Sequence, residues 1–256
     1  NPQCRFGITS RFTPGDAVRI DAITDDGQYH AWTEINVPQR PFEIENVDTV
    51  TVPLAQSGYT TEYLRYRITI NDRPNETNYY RIVIDKQTTL WGYNHEEGGD
   101  DYIYWTKHSY NFIGREDVVL TDGQPTTGDD EDNGLFDTAK NIYGVFDDTR
   151  FRNTSYTMTV YNNTKIETGS DSGYFSGMDV IIRLMSITET EYYYLKALNL
   201  VDSDAYDETI NEPIKYPSNV HGGTGMVGIS TEVTQTIHII SSSHSKGNLA
   251  PPVHVY

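Results

Sequence analysis

An acidic loop, scattered histidines and a high density of tyrosine are what this sequence offers to chemistry. The run Asp129-Asp130-Glu131-Asp132-Asn133-Gly134 supplies hard oxygen donors on a loop, the ligand type that Ca2+ takes. Spaced as D-x-E-x-N-G, it matches the first half of an EF-hand loop, with Asp129, Glu131 and Asn133 in ligating positions. The twelfth position, however, is Lys140 where a bidentate Glu is required. The run is a candidate Ca2+ site beside the simpler reading of a solvated loop, and no other cofactor is expected.

The remaining motifs fail on spacing. His95-Glu96 opens like a zinc-peptidase helix, but the second His position is Gly99. Gly169-Ser170-Asp171-Ser172-Gly173 sets Ser172 off the G-x-S-x-G pattern, and no spacing ties a His and an acid to it. Gly222-Gly223-Thr224-Gly225 lacks the Lys-Ser/Thr of a phosphate loop, and the sequence predicts tight backbone packing or a bulge there, before a strand over Met226–Ser230. Adjacent acids such as Asp100-Asp101 and Asp147-Asp148 project to opposite sides of an extended chain, so adjacency does not make the facing pair a glycosidase needs. The 7 His residues form neither H-x-H nor i, i+4 pairs. No catalytic residue is assigned, and the chain is expected not to be an enzyme, with a hydrolase carrying a dispersed carboxylate site as the third choice.

Aromatic side chains are the other resource. Of 20 Tyr and 3 Trp, Trp91, Tyr93, Tyr102, Tyr104 and Trp105 gather on either side of His95–Asp101. Exposed rings beside acids form a candidate platform for carbohydrate or peptide; the alternative is that they pair across adjacent strands as packing.

The elements that must hold these groups are strands. Period-two alternation places Val18, Ile20 and Ala22 on one face of a strand over Ala17–Thr24. The turn signal Asp25-Asp26-Gly27 returns it through Tyr29–Ile35 as a hairpin. Val37-Pro38-Gln39-Arg40-Pro41 lacks two ladder donors and is expected to cross between sheets, with extended structure resuming over Ile44–Val52. Leu64, Tyr66, Ile68 and Ile70 alternate with polar residues, Asn71–Asn75 turns, and Tyr79–Asp85 returns. Further strands run through Tyr156–Val160, Val180–Leu184 and Val233–Ile240. Thr188-Glu189-Thr190-Glu191 has the capping-box pattern, so the principal helix follows it near 189–199. The fold class is therefore mainly β: a sandwich or curled antiparallel sheet with one main helix. Its boundary falls near Pro53, dividing residues 1–53 from a larger β domain over 54–256.

A formal net charge of -18 repels phosphate backbones, so no nucleic acid is expected as a partner. With 1 Cys, stability rests on packing, not on disulfides.

Several segments, in order, resemble one family. Pro14-Gly15-Asp16 leading through Ala31-Trp32-Thr33-Glu34-Ile35 to Val37-Pro38 resembles its early PGD-turn element. Asn78-Tyr79-Tyr80 resembles its NYY hairpin, and Phe146-Asp147-Asp148 with Tyr156–Tyr161 resembles its FSD element, Asp147 standing where Ser is usual. Glu212-Pro213 and Pro217-Ser218-Asn219-Val220-His221-Gly222-Gly223-Thr224-Gly225-Met226-Val227-Gly228 resemble its closing EP…SN-I-x-G-G-x-G pattern. On these residues the chain resembles the domain-of-unknown-function family DUF4249, lipoproteins of the bacterial outer membrane in Bacteroidota.

The resemblance carries no catalytic residue. It implies that residues 1–53 are the C-terminal part of an immunoglobulin-like domain, and that a lipid anchor lies N-terminal to this chain. It also implies an extracellular outer-membrane location, an accessory or ligand-binding role in nutrient uptake, and as partner a SusC-like TonB-dependent barrel or other surface lipoproteins. An adhesin or fimbria-like structural subunit is the alternative. Asp48-Thr49-Val50 and Asp137-Thr138-Ala139 resemble O-glycosylation sequons of that phylum, at Thr49 and Thr138.

Overall fold

The computed structural model describes residues 9–56, 59–94, 101–112, 114, 116–123, 141–163, 174–202 and 213–239. In chain order they form β1 (Ala17–Ile23), β2 (His30–Asn36), β3 (Asn46–Gln56), β4 (Tyr59–Asn71), β5 (Tyr79–Asn94) and β6 (Asp101–Ser109). These are followed by β7 (Val145–Asp147), β8 (Ser155–Asn163), β9 (Tyr174–Ser186), α1 (Glu189–Val201) and β10 (Thr231–Ile239). All strand pairings are antiparallel, in a β1-β2 hairpin, a β3-β4-β8 sheet and a β10-β9-β5-β6 sheet with β7 against the start of β5. The chain is mainly β with one helix, as the alternation predicts.

The inward residues of the two larger sheets meet in one core. Leu64, Tyr66, Ile68 and Ile70 of β4 and Met158 and Val160 of β8 pack with Ile82 and Ile84 of β5, Val180, Ile182 and Leu184 of β9, and Val233 of β10. Burying each such side chain is worth about 1.5–3 kcal/mol. Pro53 falls inside β3, opposite Glu62, so an edge strand runs unbroken through the position where the sequence suggests a boundary. An edge tolerates proline because its outer N–H side needs no partner.

Residues 37–45 cross between sheets as their prolines require, tied down at both ends. Gly15 N–H bonds the Val37 carbonyl, Arg40 Nε donates to the Glu232 carbonyl, and Arg73 Nη1 donates to the Arg40 carbonyl. The free edge of β8 is capped by a side chain: Asp117 Oδ2 accepts Thr159 N–H at 2.8 Å and the Tyr156 hydroxyl at 3.0 Å, while its Oδ1 holds the N–H groups of Val119 and Leu120. Blocking a ladder edge this way removes a template for strand addition.

Met226–Ser230 is not a strand. Asn219 takes the place of a neighbouring backbone, its amide donating to the Val227 carbonyl and accepting from Val227 N–H. The preceding residues hook onto the hairpin instead: Trp32 and His221 exchange both backbone hydrogen bonds and their rings stack with centroids 4.2 Å apart. Gly222, at φ 75°, passes so close that an added Cβ would lie 2.3 Å from the His30 carbonyl oxygen, which is why glycine is needed there.

Half of the expected capping box forms. Thr188 Oγ1 accepts Glu191 N–H at 3.2 Å. The Glu191 carboxylate turns away under Gly228, where Oε2 is buried without a hydrogen bond. Burial raises its pKa, opposed by Arg81. A carboxyl with a raised folded pKa favours the native state below the ordinary Glu range and loses that contribution as pH rises through it. Glu191→Gln is therefore expected to flatten the decline in melting temperature between pH 4 and pH 7, measured by scanning calorimetry; a decline as steep as in the parent protein would contradict this.

Candidate functional site

The outward face of the β10-β9-β5-β6 sheet carries the chemistry left unabsorbed by the core. At one end α1 covers it: Tyr79 and Val145 pack with Ile187, Tyr192 and Leu195, and the Tyr79 hydroxyl donates to Glu189. Next to it Arg81 Nε donates to the Tyr143 carbonyl, and Arg81, Val83, Tyr110, Phe112, Ile142 and Tyr143 line a shallow cleft of about 230 Å3. Beyond Val83 the face carries Tyr104, His108 and His238, all exposed.

Its first open rows are polar. Ladder pairing aligns His238, Asp179, Gln87 and His108 across four strands. His238 Nδ1 lies 2.7 Å from Asp179 Oδ1, and His108 Nδ1 lies 3.0 Å from Oδ1 of Asp85, whose residue is 2% exposed and which also accepts from Gln87 Nε2. A carboxylate only accepts, so Nδ1 is the donor in both pairs, and Nε2 of each ring is left for a further hydrogen bond.

Farther along come the aromatic positions. The register sets Trp91 opposite Tyr104 and Tyr93 opposite Tyr102, placing these four positions on the same face as the polar row. Trp105 pairs with Leu90 and belongs to the other face, where Leu90 is buried. The register thus pairs these four positions across β5 and β6 and sets Trp105 apart from them. Spacing along the sequence did not single out Tyr174, which sits opposite Trp91 from β9. The register shift between Thr89 and Leu90 is responsible: one extra residue in β9 brings Tyr174, and not Phe175, onto this face. Of the rings whose surroundings are described, Tyr104 is 49% exposed.

The other candidates fall elsewhere. Asp129, Glu131, Asn133 and Thr138 lie outside the described residues. Among the described residues no three His, Cys, Asp or Glu side chains gather to hold a metal ion. Thr49 is exposed on β3. His221, Gly222 and Gly223 serve to dock the hairpin. There Arg19 lies 4.4 Å over the Trp32 ring, and Asp21, bonded to Arg19 and His30, has its pKa lowered to about 2 by those partners.

The family profile described as domain of unknown function, DUF4249, matches residues 2–236. This chain belongs to the DUF4249 family. No curated protein matches it. In this DUF4249 member the motifs that carry the resemblance build the frame: Asn78, Tyr80, Asp148 and Asn219 are engaged in hydrogen bonds that fix turns. The open sheet face is built from residues outside those motifs.

Proposed function

We propose that this DUF4249 protein is a non-enzymatic ligand-binding component of the bacterial cell surface. In this reading it is an outer-membrane lipoprotein of Bacteroidota, anchored through an N-terminal lipid and working beside a SusC-like TonB-dependent transporter. The observation that supports it best is the alignment of aromatic positions 174, 91 and 104 on the same open face as a hydrogen-bonding row. Rings give flat apolar contact and the row gives directional polar contact, the two components of a surface recognition site.

Gentle detergent extraction of the native protein from its membrane, followed by identification of stoichiometric partners, tests the docking. A barrel of the SusC type is the expected companion, and recovery of the protein alone overturns stable docking. One observation favours the adhesin alternative: Ile20 and Ile23 on β1 are exposed, at 39% and 63%, on a strand with no second neighbour among the described residues. An SDS-resistant ladder of copies is the result that reading requires.

A further inference from the structure

Residue size changes from row to row along the outer sheet face in the ladder register. Between the aromatic row at 174, 91 and 104 and the polar row His238-Asp179-Gln87-His108 lies one row of short residues, Gly177, Thr89 and Thr106, in register across β9, β5 and β6. At about 3.3 Å per residue, the two bounding rows stand roughly 13 Å apart, four residues along β5 and β6 and five along the bulged β9. Gly177 is the informative member. Its φ lies outside the left-handed region, and a Cβ placed on it would meet nothing within 4 Å. Gly177 adjoins the β9 bulge, where glycine is common, and its effect on the face is to leave the middle of this row without a side chain.

The chemistry of the occupant follows from what the face lacks. Every strand here is paired in the ladder, and a face offers no free N–H or C=O, so an extended peptide cannot add by backbone pairing and recognition must go through side chains. Charge narrows it further. The chain's net charge of -18 disfavours polyanions, and Asp179 and Asp85 are held by His238 and His108. Donors and acceptors on Gln87, Thr89, Thr106 and the imidazoles, beside the exposed ring of Tyr104, suit a neutral group with many hydroxyls and a flat C–H face. Its hydroxyls can donate to the imidazole Nε2 atoms and exchange hydrogen bonds with Gln87, Thr89 and Thr106, while its C–H face lies against Tyr104.

We propose that the trough floored by Gly177, Thr89 and Thr106 binds a neutral oligosaccharide lying across the strands. This rests on the reading of the protein as a surface ligand binder and names its ligand class and subsite.

The test is titration calorimetry of the purified full chain with neutral hexasaccharides, namely the β-1,4-glucan, β-1,3-glucan, β-1,4-xylan and β-1,4-mannan hexamers, beside an oligogalacturonate. Binding of at least one neutral hexamer is expected, with the galacturonate silent. Gly177→Trp, which fills the middle of that row without strain, should weaken that binding by at least about tenfold at unchanged melting temperature. Gln87→Ala should weaken it less, and Val50→Thr on the opposite sheet should leave it intact. Failure of every neutral hexamer to bind, or undiminished binding by Gly177→Trp, overturns the proposal. Neither result touches the co-purification outcome, which judges transporter docking by itself.

Discussion

Asp148→Ala is expected to lower the melting temperature by roughly 10 °C without altering strand content. At 0% exposure Asp148 is the centre of a knot joining two turns. Its Oδ2 accepts Asn78 N–H at 2.9 Å and Asn78 Nδ2 at 3.3 Å, and its Oδ1 accepts Arg152 Nη2 at 3.1 Å. Asn78 Nδ2 also donates to Asp72 Oδ1 and to the Arg73 carbonyl, while Arg73 Nη2 donates to Asn78 Oδ1. Asp72 in turn accepts the Tyr80 hydroxyl at 3.0 Å and Asn153 N–H at 2.9 Å. Burial, reinforced by the Asp72 charge, raises the Tyr80 pKa, so that phenol stays a donor throughout the working range.

Alanine at 148 strands the Asn78 N–H in the interior and releases the Arg152 pair. Breaking a buried charge-assisted network by removing one partner costs about 3–5 kcal/mol. In a domain of this size each kcal/mol moves the melting temperature by about 2–4 °C. Asp148→Asn keeps the volume and one acceptor, so it should recover part of the loss. Scanning calorimetry on the three proteins decides the matter: a shift under about 3 °C for the alanine variant would show that the turns hold without the knot.

That knot was only half legible in the sequence. Alternation of apolar and polar residues located β4, β5, β8, β9 and β10, because a half-buried strand must show its two faces in its sequence. The turn over Asn71–Asn75 and the helix start at Thr188 were legible from local residue types, turn-forming Asn, Asp and Pro in the one and a capping Thr in the other. Asp148 looked like one of two adjacent turn acids, since nothing in Phe146-Asp147-Asp148 announces a bond to Asn78, 70 residues away. Glu191 fits the capping-box pattern, yet its carboxylate is drawn under Gly228, a contact set by tertiary packing.

The open face shows the same division. Clustering drew attention to Trp91, Tyr93, Tyr102, Tyr104 and Trp105, but the place of Tyr174 in one row with Trp91 and Tyr104 depends on a bulge in β9 that no local signal marks. His108 and His238 lie 130 positions apart by residue number, so no motif could join them, and only the ladder brings them into one row with Asp179 and Gln87. Local pattern defines strands, while the candidate site lies on a face assembled from four of them.

Gly144→Ala is the second substitution with a large expected effect, and its comparison with Gly27→Ala separates two causes of the cost. Both glycines are in the left-handed region, at φ 65° and φ 67°. Moving any other residue into that region costs about 1–2 kcal/mol. At Gly27, in the β1-β2 turn, an added Cβ meets nothing within 4 Å, so that conformational cost is all that is expected. At Gly144 the added Cβ would stand 2.3 Å from the Ile82 carbonyl oxygen and 3.2 Å from Phe112 Cζ. The obstacle is the backbone of a core strand, and it cannot swing aside as a flexible side chain would. Nor can the glycine retreat. Its own carbonyl accepts Ile82 N–H at 2.8 Å, and Asn141 holds the flanking chain by bonding both backbone groups of Val145. Asn199 of α1 grips Tyr143 N–H from the other side. Relief therefore means pulling β7 off β5, and the total is expected to reach about 3–5 kcal/mol, against about 1–2 kcal/mol for Gly27→Ala. Denaturant unfolding of the two variants measures both; equal losses would mean that the close approach to Ile82 contributes nothing and that backbone conformation alone sets the cost.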